Sequence, residues 1–380
     1  MNTHVLSISY GRHLFIHGDP ERERMRVCSE ALASHHMIIF SDKSHGLKED
    51  CVSEKLTLYP TNSFFHIGKI IDAALLGVRI VRASPKGTRW CISAQDPLGA
   101  GVVGYLLRWI TRHPLLIQEH GDIFGGDYWR QESRGNALWS YVARFLVRRA
   151  DRVRAVSKRV HEHLQDLGVP ASRIVTLPVY TDIPALQEIA VTTDLRALYP
   201  EASCIVLSVA RFVPQKNLTL LVRAFKKLHM ENPKARLVLV GRGSEEKRMQ
   251  EEIAQCGLAE SVTIMPWATD VVSLMKTADI YALSSNYEGW ARVLVEAMAC
   301  GLPIVTTAVG CAGEVCKDGV HGSVVPVGDE NAFADALISL AGDADRRCTY
   351  GQAGKEDART VFGNREAYVR TWALIHNGEL

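Results

Sequence analysis

Short apolar runs alternate with longer amphipathic segments along nearly the whole chain, and the alternation stops once and restarts. Apolar runs of about 4–8 residues suit buried strands, and longer amphipathic segments suit helices. Strand and helix in regular turn make βαβ units, whose strands lie parallel. In the first half, strands are expected at His4–Ser9, His36–Ser41, Arg89–Ala94, Leu115–Glu119, Arg152–Val156 and Ile174–Leu177. Helices are expected near Glu21–Ala33, Gly99–Thr111, Asn136–Arg149 and Lys158–Asp166. After Pro178 the pattern turns irregular, through Ile183-Pro184 to Tyr199-Pro200, which reads as a linker. Strands then return at Cys204–Val209, Arg236–Val240, Ser261–Met265, Ile280–Leu283, Pro303–Thr306 and Ser323–Val325. Helices return at Leu218–His229, Glu245–Gln255, Asn331–Leu340 and Arg365–His376. With 380 residues the chain exceeds one ordinary domain. The expected organisation is α/β, two doubly wound parallel-sheet halves facing a central cleft. Residues 1–182 form the first half, 183–362 the second, and 363–380 a last helix.

Composition narrows the function classes. A formal net charge of +2 argues against a dedicated nucleic-acid binder. The nine cysteines are scattered and form no C-x2-C pair, which suits reduced thiols in a cytoplasmic protein and no zinc site. The amino terminus lacks a signal-peptide pattern, and no apolar stretch approaches the ~18 residues of a membrane span.

The most specific string is Glu288-Gly289-Trp290-Ala291-Arg292-Val293-Leu294-Val295-Glu296, followed by Ala297-Met298-Ala299-Cys300-Gly301-Leu302-Pro303. It comes after the apolar run Ile280–Leu283 and the hydroxyls Ser284 and Ser285. Glu288 therefore belongs on a loop at the carboxyl end of a parallel strand, and Glu296 on the helix that the loop opens. Ligands of open α/β sheets bind at that edge. A helix amino terminus offers N–H groups and a positive dipole end to phosphate. Carboxylates accept hydrogen bonds from hydroxyls but cannot hold phosphate. The pattern suits a ligand with phosphates in the middle and hydroxylated rings at each end, a nucleotide-sugar.

Further candidates sit after other strands. Arg211 and Lys216 follow Cys204–Val209, where two cations can offset the charge of a leaving diphosphate without a metal. Gly241-Arg242-Gly243 ends the next strand; Glu246 stands where a dinucleotide fingerprint needs its third glycine, so a tight turn approaching a nucleotide is expected. Gly310 and Gly313 suggest close backbone approach, and Glu314 is expected to open a short helix. His120 ends Leu115–Glu119 beside Gly121, at the cleft edge, and Asp96 ends the preceding strand similarly. No Asp-x-Asp stands at a strand end near the glutamates, so no metal is expected. Arg144, Arg148, Arg149, Arg152, Arg154, Lys158 and Arg159 are interleaved with apolar residues, a solvated helix face or a contact with anionic lipid.

Together these residues resemble family 4 retaining glycosyltransferases of the GT-B fold, built from two Rossmann-like domains. The resemblance is carried by Arg211…Lys216, Glu288…Glu296 with its Ala297–Pro303 tail, Gly310…Glu314, His120-Gly121-Asp122 and Ala155-Val156-Ser157. It implies that Arg211 and Lys216 grip a donor diphosphate, that Glu288 contacts the transferred sugar and that Glu296 holds the ribose. It further implies that backbone at Gly289, Trp290 and Ala291 lies against sugar and phosphates, beside a nucleotide turn at Gly241 and Arg242. His120 would face the sugar, with Asp96 and Asp122 on the acceptor side. The implied reaction moves a sugar to a hydroxyl of a lipid-linked or carbohydrate acceptor, with retention and without cofactor or metal. The implied setting is surface polysaccharide or glycolipid synthesis on the cytoplasmic membrane face. The chain departs from the family in its first loop: Ser9-Tyr10-Gly11-Arg12 replaces the usual Gly-Gly. Trp290 and Ala291 replace the commoner Phe and Gly. A nucleotide-sugar epimerase, another GT-B enzyme and a non-catalytic nucleotide-sugar-binding partner remain as alternatives.

Overall fold

The computed structural model describes residues 3–65, 67–266, 270–362 and 364–380. The chain divides into two compact units: residues 1–125, 133–178 and 364–380, and residues 126–132 and 179–363.

The first unit is built on an eight-stranded sheet. Its strands are β1 (His4–Ser9), β2 (Ser34–Ile39), β3 (Asp50–Cys51), β4 (Leu56–Pro60), β5 (Trp90–Ala94), β6 (Leu115–Glu119), β7 (Arg152–Ala155) and β8 (Ile174–Thr176). They run in the order β3-β4-β2-β1-β5-β6-β7-β8, all parallel except β3 against β4. The interior strands are buried along their length, as helices on both faces demand: β5 and β6 are buried at every position. Helix starts carry the expected caps. Asp19 accepts from the Glu21 and Arg22 amides ahead of Pro20, Ser133 caps Arg134–Arg149, and Ser157 caps Lys158–Asp166.

The helix Arg365–Asn377 packs within this unit. Trp372, Ala373 and Ile375 join Val5, Cys91 and Leu116 in one apolar cluster. Arg154 reaches the Tyr368 hydroxyl at 3.2 Å, and Arg152 donates to the Gly378 carbonyl at 2.6 Å. Burying a tryptophan of this kind stabilises by about 2–3 kcal/mol before entropy is counted.

The second unit has a six-stranded parallel sheet: β9 (Cys204–Val209), β10 (Ala235–Val240), β11 (Val262–Met265), β12 (Ile280–Leu283), β13 (Ile304–Thr307) and β14 (Gly322–Val325). The order β11-β10-β9-β12-β13-β14 reverses direction between β9 and β12. In a doubly wound sheet that reversal opens a crevice at the carboxyl ends of the two strands. Leu221, Phe225, Leu237, Phe333 and Leu337 form the core between this sheet and its helices.

The sequence pattern predicts nothing regular between Ser41 and Arg89, yet β3, β4 and the helix Gly68–Ala83 lie there. The outer side of that helix is mixed: Ile71 and Leu75 face outward and are exposed, as are Arg79 and Arg82. Gly77 inside it is a packing device. A Cβ there would meet Leu107 of the helix Gly99–Thr111 at 2.7 Å, so the two helices touch closely only with glycine.

Candidate functional site

The loops that follow β9 and β12 meet at the reversal point of the second sheet. The Asn286 amide donates to the Gln215 carbonyl at 2.8 Å, and Ser284 Oγ donates to the Lys216 carbonyl at 2.9 Å. Asn217 and Asn286 join side chains at 3.0 Å. Lys216 and Glu288 are thereby brought face to face. Lys216 Nζ pairs with Glu288 Oε1. Ser285 Oγ donates to the same oxygen at 2.7 Å, and the Gln215 amide lies 3.4 Å from Oε2. Glu288 is only 8% exposed, so a pairing of this strength replaces the water that it loses. Ser285, Gln215 and Asn286 were not singled out as site residues by sequence. Their only signal was position: polar residues directly after buried strands.

Arg211 stands exposed on the loop after β9. Tyr287, whose hydroxyl donates to Glu132 Oε1 at 2.9 Å, is pushed up by burial and then by that carboxylate; the Arg211 cation pulls against the rise. Glu132 belongs to the segment 126–132 that groups with this unit. Nothing in the sequence could have paired residues so far apart.

The helix Arg292–Ala299 begins four positions after Glu288, and its N-cap is Ala291. Ala291 sits in left-handed backbone, φ 59° and ψ 59°, which costs an alanine about 1–2 kcal/mol. An alanine side chain cannot cap, so the first-turn amides receive no side-chain acceptor from it. Gly310 backs this turn. A Cβ at Gly310 would lie 2.7 Å from Trp290 backbone, and the Cys311 amide donates to the Trp290 carbonyl at 2.9 Å. Trp290 and Gly289 are buried, so the indole packs inward. One helical stretch on, Glu296 takes Arg292 Nε at 2.9 Å and is one-fifth exposed.

One expectation for this unit needs correction. Glu314 opens no helix: residues 311–315 form a turn closed by the Ala312–Cys316 bridge, because Gly310 and Gly313 both take positive φ and break helical backbone. Gly241 and Gly243 make room for protein. A Cβ at Gly241 would meet the Ala210 carbonyl at 1.9 Å, and one at Gly243 the Phe212 carbonyl at 2.1 Å. The glycines let the β10 loop lie on the β9 loop, where the Phe212 amide donates to the Arg242 carbonyl at 2.7 Å; Arg242 itself points to solvent as an exposed residue.

In the first unit, β1 and β5 mark the corresponding reversal. Tyr10 fills it. Its hydroxyl lies where a Cβ on Gly99 would fall, and it accepts from the Gly99 amide. Asp96 is pushed up to about 6 by burial, against hydrogen bonds from the Leu98, Ala100 and Gly101 amides. Asp96 and Tyr10 thus occupy the amino terminus of Gly99–Thr111. His120 follows β6, and burial pulls it down to about 3, so it is neutral at ordinary pH. Its Nε2 is buried without a partner among the described residues. Asp122, at φ 52°, holds His163 Nδ1 at 2.8 Å and locks the loop behind His120. That contact raises the His163 pKa. Glu119, passed over by sequence, is buried and pushed up to about 8; its Oε1 accepts the Gly121 amide at 2.9 Å.

The basic run is not one surface. Arg154 is 3% exposed and satisfies the Leu177 and Pro178 carbonyls and the Gln118 side chain. Arg152 caps the last helix, and Arg148 donates to the Leu167 carbonyl at 2.6 Å. These three are structural because strand and loop carbonyls beside them need donors. Among the described residues no cluster of three or more His, Cys, Asp or Glu is arranged to hold a metal. No described helix is long and apolar enough to cross a membrane.

Comparison with known proteins places this geometry. The family model for glycosyl transferases group 1 matches residues 196–357, and that for the glycosyl transferase 4-like domain matches residues 77–179. The N-acetyl-alpha-D-glucosaminyl L-malate synthase of Bacillus anthracis is 29% identical over 62% of this chain and 61% of its own. The GDP-mannose-dependent alpha-(1-6)-phosphatidylinositol monomannoside mannosyltransferase of Mycolicibacterium smegmatis is 30% identical over 57% of this chain and 61% of its own. The chain thus spans about three-fifths of the length of these two relatives. The crystal structure of Anabaena Alr3699/HepE with UDP and glucose superposes with a TM-score of 0.76 at 21% identity, covering 99% of this chain and 100% of that one. The two family matches and the two parallel-sheet units agree: this chain is a group 1, family 4-type member of the glycosyltransferases, with the GT-B fold.

Proposed function

We propose that the chain transfers a sugar from a nucleotide diphosphate sugar to a hydroxyl of a lipid-linked or carbohydrate acceptor, with retention and without a bound metal. The observation that carries this reading is the meeting of Lys216, Glu288 and the Ala291 helix terminus at the sheet reversal of the second unit. The relative crystallised with UDP and glucose supports the donor class. The mannosyltransferase relative, whose name includes a phosphatidylinositol mannoside, supports a lipid-linked acceptor.

In this reading, Arg211, Lys216 and the helix amides take the diphosphate. Glu288 accepts hydrogen bonds from sugar hydroxyls, and Glu296 from the ribose. The bond from the anomeric carbon to the diphosphate oxygen breaks, and its electron pair stays on that oxygen. The acceptor oxygen bonds the same carbon from the same face and gives its proton to the departing phosphate. Two cations and a helix dipole stabilise the developing charge, which is the chemistry a metal otherwise supplies.

The test compares Glu288→Gln and Glu296→Gln with donor and acceptor present and chelator in excess. Glu296→Gln should weaken free nucleotide and donor alike, by about 1.5–3 kcal/mol. Glu288→Gln should leave bare nucleotide binding nearly intact and cut turnover. Equal loss of nucleotide affinity in both would refute the division of roles. Activity abolished by chelator and restored by magnesium would refute metal independence. Turnover of donor alone, with no acceptor product, would point to an epimerase.

A further inference from the structure

Asp96 and His120 stand just past the carboxyl ends of β5 and β6. At the opposite edge of the same sheet, where β1, β5, β6 and β7 begin, lies a cavity of about 860 Å³. Its walls come from Thr3, the end of the helix Gly68–Ala83 and the loop after it, the starts of β5 and β6, Asp151-Arg152, and the end of the helix Arg365–Asn377. Small-molecule sites have volumes of about 300–1,000 Å³.

The polar groups of this wall are short of partners. Trp90 is 3% exposed and Thr3 4%, yet Trp90 Nε1 and Thr3 Oγ1 have no hydrogen-bond partner among the described residues. Asn377 Oδ1, at the end of the last helix, is buried and unpaired in the same way. Buried polar atoms are nearly always paired, so orphans gathered in the residues of one cavity call for a partner from outside the chain. Charge decides what kind. Arg82 and Lys86 line the cavity and have no acidic partner among the described residues. Asp151, the one acid of the described lining, is already taken by Arg108, which donates to its two oxygens at 2.7 and 2.9 Å. Uncompensated cations beside a neutralised acid select an anion and repel a metal ion. Val81, Leu115, Leu116 and Ile375 are also in the lining, and a bare inorganic anion would leave them without contact.

We propose that this cavity binds a small organic anion, a phosphate or carboxylate carried on an apolar body. Arg82 and Lys86 take its charge, Trp90 Nε1 donates to it, and the apolar wall takes its body. Because the end of Arg365–Asn377 forms part of the wall, occupancy braces the helix end that Arg152 already holds. The proposal does not rest on the transfer reaction, and its test reads binding and melting with no turnover.

Phenyl phosphate and benzoate are titrated into the full chain by calorimetry, beside inorganic phosphate and phenol. At least one of the two organic anions should bind saturably, about tenfold or more tighter than inorganic phosphate and phenol, and raise the melting temperature by mass action. The tighter of the two assigns the head group as phosphate or carboxylate. Arg82→Glu/Lys86→Glu reverses two exposed charges and should weaken that binding about tenfold or more while leaving the ligand-free melt unchanged. Ser84→Trp, which adds an indole to the lining, should abolish it. Arg211→Ala, in the second unit, should leave it unchanged. No saturable binding of either organic anion at millimolar concentration overturns the proposal. So does binding that survives Arg82→Glu/Lys86→Glu, or inorganic phosphate bound as tightly as the organic anions. Binding lost in Arg211→Ala would assign the probe to the second unit and overturn it as well.

Discussion

Removing the Lys216 amine should destabilise the second unit. The Lys216 and Glu288 side chains are 13% and 10% exposed, so Lys216→Met leaves a nearly buried carboxylate without its cation. Breaking such a pair costs about 3–5 kcal/mol. The Ser285 and Gln215 hydrogen bonds to the carboxylate remain and soften the loss. We expect about 3 kcal/mol, at the low end of that range. For a unit of this size, about 2–4 °C of melting temperature accompanies each kcal/mol. The assay is thermal melting at pH 7 for Lys216→Met, Glu288→Gln and Lys216→Met/Glu288→Gln. The double variant should recover most of the loss, because it removes charge and partner together. A Lys216→Met melt unchanged from wild type, or a double variant no more stable than Lys216→Met, would refute the argument. Nucleotide affinity of Lys216→Met is therefore interpretable only beside the double variant, which keeps the fold and lacks the cation.

Two further outcomes are expected. Ala291→Gly relieves the left-handed alanine at the cost of a freer unfolded chain, and should stabilise by about 0.5–1 kcal/mol in urea titration; a loss of stability would show that the Ala291 methyl packs better than its backbone suggests. Burial holds His36 and His376 down to about 4, His120 to about 3 and His35 well below its usual range, so unfolding takes up protons below pH ~6.5. Stability of the first unit is then full above pH ~6.5 and falls as pH drops toward these values, by up to about 1.4 kcal/mol per pH unit for each histidine. Glu119, protonated up to about 8 in the fold, Asp96, up to about 6, and His163, raised by Asp122, work the other way but are three groups against four. A urea midpoint unchanged between pH 7 and pH 5 would contradict the histidine assignment.

The sequence by itself determined the strand–helix alternation, because buried parallel strands must be apolar throughout and their helices must not be. It also determined Arg211, Lys216, Glu288 and Glu296 as candidates, because a loop after a buried strand has a known place in an α/β sheet. It missed the helix Gly68–Ala83, whose outer side mixes exposed Ile71 and Leu75 with Arg79 and Arg82 and so blurs the contrast. Gly241 and Gly243 read as ligand-approach glycines, and the packed β9 loop adds what the sequence does not show: a Cβ on them would strike the Ala210 and Phe212 carbonyls. Arg152 and Arg154 read as surface charge, and only the C-terminal helix and the Leu177 and Pro178 carbonyls just after β8 show what they hold. Lys216 and Glu288 lie 72 positions apart, and no local rule pairs them. Tertiary structure decided their ion pair by putting β9 next to β12. Strand order is set by how the whole sheet packs, and each strand's own residues say only that it is buried.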